Sequence, residues 1–188
     1  MVHRGGSKGK EKATIHTISR ALPQSGQLAE WQRELSEGSD RACALVGAAL
    51  LDLYLEKMIA TRLIKLTEKE HASLFTETRA ILGTLSARTE IAYALGIIGP
   101  TIRGDLTRVR RIRNAFAHAA LPLDFENPLI QKETEALSIP NITGSRDRYC
   151  GTVIYLAHAI SRYMVEHWEG IVAGIEARMS EHGSKDTD

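Results

Sequence analysis

Long apolar runs, net charge, closely spaced cysteines and aromatic side chains are all scarce in this 188-residue chain. Each scarcity removes a class of protein. The most apolar stretch, Ala42 to Leu55, is shorter than a bilayer requires and carries Asp52, so no membrane span is expected. The basic N-terminus does not lead into the apolar segment of a secretory signal, and the expectation that follows is a cytoplasmic protein without membrane attachment. Lys and Arg number 24 against 23 Asp and Glu, a formal net charge of +1, which gives too weak a field to draw the whole chain onto nucleic acid or an anionic membrane. Any such binding must come from a local patch. Cys43 and Cys150 show none of the close spacing of a metal site or disulfide scaffold, and both fall in apolar helical patterns. They are expected to be reduced core residues.

What is present is a balance of 43% hydrophobic and 25% charged residues with only 5% aromatic, the profile of a globular chain built on long aliphatic helices. At this length one core, and so one domain, is expected. No segment alternates apolar and polar residues as a half-buried strand does, and no internal repeat is visible. The expected fold class is all-α, a multi-helix bundle. Residues 1 to 24 hold Gly5, Gly6, Gly9, Pro23 and the basic set Arg4, Lys8, Lys10, Lys12 and Arg20, and read as a flexible basic tail. The helical domain spans 25 to 182, and 183 to 188 read as a disordered end.

Within the domain a first helix covers 26 to 37. Gly38-Ser39-Asp40 breaks it and caps a long helix running to about Lys65, apolar nearly all round and therefore central. Thr67-Glu68-Lys69-Glu70 is a capping box opening a short helix through Phe75. Ser86 caps another through Leu95, which Gly96 to Pro100 ends. Ile102, Leu106, Val109, Ile112 and Phe116 recur at helical spacing and define a helix from Thr101 to Ala119. Pro128 opens a helix over 127 to 137 as its first residue. The last helix runs from Ser145 to about Glu181, with a bend expected near Gly170 and Gly174.

The helix over 101 to 119 carries the candidate chemistry. At about 100° per residue, Arg113 falls in the same arc as its apolar face, so the guanidinium should point inward. A cation that cannot lose its proton needs a carboxylate or a polar cleft there. Asp52 and Glu56, four apart on the central helix, are the first partners expected, with Glu90 a third; the result is a structural ion pair or network of Asp52, Glu56 and Arg113 that fixes helix docking. The functional alternative sets Arg113 in a cleft wall, beside Asn114, with His118 at the helix end. His118 lies about 140° round from Arg113 on an ideal helix, so a shared site needs a loosened last turn or a second subunit. Its other explanation is an imidazolium favoured at a helix C-terminus. Arg103, Arg108, Arg110 and Arg111 crowd the same helix as a basic face for nucleic acid or an acidic partner. His118, His158 and His167 lack the paired spacing of metal ligands, and neither metal nor cofactor is expected.

The stretches Leu45 to Leu55, Gly83 to Arg88, Ala92 to Gly96 and Val109 to His118 together resemble the mannitol-repressor family, over roughly residues 40 to 170. That resemblance implies an all-helical fold and a role in transcriptional regulation without an obvious helix-turn-helix. Arg113-Asn114-x-x-x-His118 also resembles the motif of the wider HEPN superfamily, an Arg and a His a few residues apart. Its ribonuclease members cleave RNA without metal, commonly as dimers with the motif at the shared cleft. By that resemblance Arg113 would stabilise the phosphate in the transition state, His118 would act on the 2′-hydroxyl or leaving oxygen, and Asn114 would orient the site. The first expectation is a regulator that acts through a protein partner rather than by reading bases. A ribonuclease, possible toxin, and a purely structural dimerisation domain are the alternatives. An apolar strip on the last helix adds the expectation of a homodimer.

Overall fold

The computed structural model describes the backbone of residues 28–183 and the side chains of residues 30–164. The basic tail and the last five residues lie outside the described residues, and so do the side chains of His167 and of part of the apolar strip on the last helix. Among the described residues there are seven helices and no strand, an all-α multi-helix bundle: α1 Leu28–Glu37, α2 Asp40–Ala60, α3 Glu68–Phe75, α4 Leu85–Ala94, α5 Pro100–His118, α6 Pro128–Glu135 and α7 Ser145–Gly183. None of these is long and apolar enough to cross a membrane.

α2 is the axis of the bundle, packing against α1, α4, α5 and α7. It buries side chains round most of its circumference, including Cys43, Leu51, Leu55, Met58 and Ile59. Each large aliphatic side chain so buried contributes roughly 1.5–3 kcal/mol. The Ser39 side chain accepts a hydrogen bond from the Ala42 amide and starts the helix. It stops at Ala60 rather than Lys65, where the Thr61 hydroxyl donates to the Met58 carbonyl and turns the chain. α7 approaches α2 closely at Gly47, where a Cβ would lie 3.1 Å from Val153 and 3.2 Å from the Tyr149 ring. The Tyr149 hydroxyl donates to the Ala44 carbonyl at 2.8 Å. Burial pushes that phenol well above its ordinary pKa, which preserves the donor.

Local chemistry accounts for the other starts and stops. The Thr67/Glu70 capping box forms as its spacing implies. α4 is capped by Thr84, two residues before the expected Ser86, through a hydrogen bond from the Ala87 amide. Gly96 ends it at φ +68°, a conformation that favours glycine. Pro100 then opens α5 as its first residue. Leu106, Val109, Ile112 and Phe116 of α5 are all buried, as their spacing predicts. Asp105 is buried too, accepting hydrogen bonds from the Ser138 amide at 3.0 Å and from the Ser138 hydroxyl, so α5 is tied to the chain after α6. The C-terminus of α5 is held by Arg41, which donates to the Ala119 carbonyl at 2.8 Å. α7 is helical through Gly170 and Gly174 to Gly183, the first residue of the end expected to be disordered.

Candidate functional site

The buried cation facing Asp52 and Glu56 is Arg88, not Arg113. Arg88 is 2% exposed. Its Nη1 lies 2.7 Å from Asp52 Oδ1 and its Nη2 lies 2.9 Å from Glu56 Oε2. The guanidinium also donates to the backbone carbonyls of Leu82, Phe75 and Asp52, at 2.8, 2.9 and 3.2 Å. Its charge therefore meets two carboxylates while its N–H groups meet three carbonyls, the full satisfaction that a buried guanidinium needs. His71 Nε2 stands 3.6 Å from Glu56 on the outer side, its ring stacked on Phe75. The sequence signal for this residue is the stripe Leu85, Arg88, Thr89, Ala92, in which an arginine occupies a core position of α4.

Arg113 is exposed, and its Nη1 donates to its neighbour Asn114 Oδ1 at 2.9 Å. The helical arc nevertheless placed its Cα on the inward side. Both statements hold because a cleft of about 680 Å³ opens between α2, the start of α4 and the C-terminal half of α5, so the inward arc meets open space there. Arg110, Arg113 and Asn114 line one wall, Thr84 and Ser86 another, and Ala48, Ala49 and Asp52 the floor. Asp52 reaches the cleft already engaged by Arg88.

Ion pairing divides the basic face of α5 into two sets. Arg103 pairs with Glu90 at 2.5 Å and lies over the Tyr93 ring, and its hydrogen bond to Glu90 raises the guanidinium pKa further. Arg108 and Arg111 both reach Glu133 of α6, at 3.2 and 3.4 Å. Among the described residues, Arg110 and Arg113 have no carboxylate within ion-pair distance. The two cations left without internal neutralisation are the two that line the cleft. From the basic set expected to bind nucleic acid or a partner, Arg110 alone opens into it; Arg103, Arg108 and Arg111 are held against the protein's own acids.

His118 is exposed and closes α5. The helix stays regular to that point, since the Ala119 amide donates to the Ala115 carbonyl at 3.0 Å. The last turn therefore does not loosen, and the offset of about 140° between His118 and Arg113 persists. His118 is not among the residues lining the cleft. Arg113 and Asn114 are thus brought together and His118 is directed elsewhere. His158 is exposed on α7 and belongs to a different hollow, beside Met58, Ile98 and Tyr155. No group of three metal-ligating side chains occurs among the described residues.

Chemically, the cleft offers two planar guanidinium forks, an amide and hydroxyl groups over a floor of small residues and Asp52, whose carboxylate is engaged by Arg88. Such forks match a carboxylate or phosphate in two-point hydrogen bonding. No protein-family model matches this chain, and no curated protein or solved structure is significantly similar to it.

Proposed function

We propose that this protein is a regulator of the mannitol-repressor type that works by binding an acidic segment of a protein partner in the cleft lined by Arg110, Arg113 and Asn114. One observation carries the reading: of the five arginines on α5, the two that have no carboxylate within ion-pair distance among the described residues share this cleft. Desolvating an arginine that is already paired gains little, whereas an unpaired one gains a full charge-assisted contact when a carboxylate arrives. The chain's net charge of +1 favours a local protein contact over wrapping by a polyanion.

The test is fluorescence anisotropy with a labelled acidic peptide, beside single-stranded RNA and duplex DNA of equal charge, at two salt concentrations. The parent is expected to prefer the peptide, and Arg110→Glu with Arg113→Glu to abolish that preference. Tighter binding to either nucleic acid by the folded parent would overturn the reading.

A second reading, a metal-independent ribonuclease of the HEPN type, is favoured by the Arg113–Asn114 hydrogen bond at the cleft wall. With His118 turned away on the same rigid helix, this reading requires a second copy to bring its imidazole to the cleft. Mixed RNA incubated in EDTA with the parent, Arg113→Ala and His118→Ala tests it. Cleavage by the parent, loss in each variant and recovery on mixing the two variants are the expected signature; a parent that leaves RNA intact excludes it.

A further inference from the structure

We infer that Cys43 and Cys150 form a reversible dithiol–disulfide site, oxidised by a hydroperoxide, that cross-links α2 to α7 within one chain. Far apart in the chain, the two sulfurs stand 3.0 Å apart in the fold. A covalent S–S bond is ~2.05 Å, so closure requires a movement of only about 1 Å. The chain has two cysteines, and no competing intramolecular pairing exists. The site is independent of the cleft and of the proposed function.

The two thiols have different surroundings, and the difference assigns their roles. Cys43 is fully buried, while Cys150 is half-buried and reachable by a small oxidant. The hydrogen bond with Cys43 lowers the pKa of Cys150 against the opposing effect of burial, and the Arg146 guanidinium on the preceding turn of α7 lowers it further. Arg146 is itself fixed, its Nη1 2.8 Å from Asp40 and its Nη2 donating to carbonyls at the end of α1. Cys43 is pushed the other way, first by its hydrogen bond to Cys150 and then by burial.

Cys150 is therefore the attacking thiolate. Its sulfur takes one oxygen of hydrogen peroxide with its hydrogen, the O–O bond breaks, and the other oxygen leaves as hydroxide, which takes from solvent the proton Cys150 released on ionising and becomes water, giving a sulfenic acid. That product is neutral, so the charge and hydrogen bond that held the Cys43 proton are removed. The Cys43 sulfur then attacks the Cys150 sulfur, the S–O bond breaks, and the departing hydroxide takes the Cys43 proton as a second water. Two thiols lose two electrons in all, and one peroxide is reduced to two waters. A small thiol in excess reverses the bond by exchange.

The experiment exposes the folded, pre-reduced full chain to a slight excess of hydrogen peroxide, then alkylates under denaturing conditions and measures intact mass and migration without reductant. The expected product is a monomer lighter by two hydrogen atoms, unreactive to alkylation at both positions, and restored by dithiothreitol. Cys43→Ala, once shown to be folded by circular dichroism, is expected to accumulate a dimedone adduct at Cys150. Three results overturn the inference: full alkylation of both thiols after peroxide, sulfinic acid at Cys150 with Cys43 still free, or disulfide-linked dimers as the main product. A folded Cys43→Ala variant that forms no adduct overturns the assignment of Cys150 as the attacking sulfur.

Discussion

Two arginine-bearing regions meet at Asp52, and they spend their charge differently. Behind it, Arg88 is sealed among carboxylates and carbonyls of α2, α3 and the chain between α3 and α4. In front of it, Arg110 and Arg113 stand at an open cleft and, among the described residues, have no carboxylate within ion-pair distance, although Asp52, engaged by Arg88, lines the same cleft. The same side chain thus serves stability where every donor is satisfied and remains available to a partner where the donors are not. Burial alone does not separate these roles. What separates them is whether the protein supplies the counter-charge itself.

The largest test of this contrast is Arg88→Met. Removing the cation leaves Glu56 buried and fully excluded from solvent, at a cost of about 3–5 kcal/mol, and thermal unfolding should begin on the order of 10 °C lower. A variant melting with the parent would show that the sealed arginine is dispensable and would break the comparison. Next comes the double reversal Arg110→Glu and Arg113→Glu. Its stability should stay within about 0.5 kcal/mol of the parent because both side chains reach solvent, while affinity for the acidic peptide should fall at least about tenfold, a change of ~1.4 kcal/mol in binding. Loss of stability without loss of binding would reverse the assignment.

A third change moves arginines from one set to the other. Glu133→Gln frees Arg108 and Arg111, and retention on a polyanion column should rise at low salt and disappear at high salt. Its stability cost should be under about 1 kcal/mol, since these ion pairs are partly exposed. Unchanged retention would mean that pairing with Glu133 does not decide which arginines are available. The smallest effect is expected far from both regions, at the capping box. The backbone amide and hydroxyl of Thr67 hold the Glu70 carboxyl below its ordinary pKa. A depressed carboxylate contributes stability that is present above its unfolded pKa and lost as pH falls through the folded one. The melting difference between the parent and Glu70→Gln should therefore be greatest near neutrality and fade in acid; a difference that persists in acid would point to lost packing instead.

The helix over 100–118 illustrates how far the sequence could be read. Its apolar stripe placed Leu106, Val109, Ile112 and Phe116 in the core because periodicity follows from helix geometry alone. The same geometry put Arg113 on the inward arc, yet a helical wheel cannot tell packed core from open cleft. It also gave equal standing to Arg103, Arg108, Arg110 and Arg111, whose differences lie in acids on α4 and α6 that share no local pattern with them. The stripe that carries Arg88 is visible in the sequence, but an arginine in a core position makes sense only once the carboxylates opposite it are known.

By itself the sequence determined the helical class, the central place of α2, the capping box at Thr67 and the proline start of α6. Each depends on residues within a few positions of one another, where backbone hydrogen bonding and side-chain periodicity act. Tertiary structure alone decided that Asp52 and Glu56 face Arg88, that Arg110 and Arg113 share a cleft, and that Cys43 meets Cys150. Those outcomes join distant parts of the chain, and they were settled by the docking of whole helices around α2.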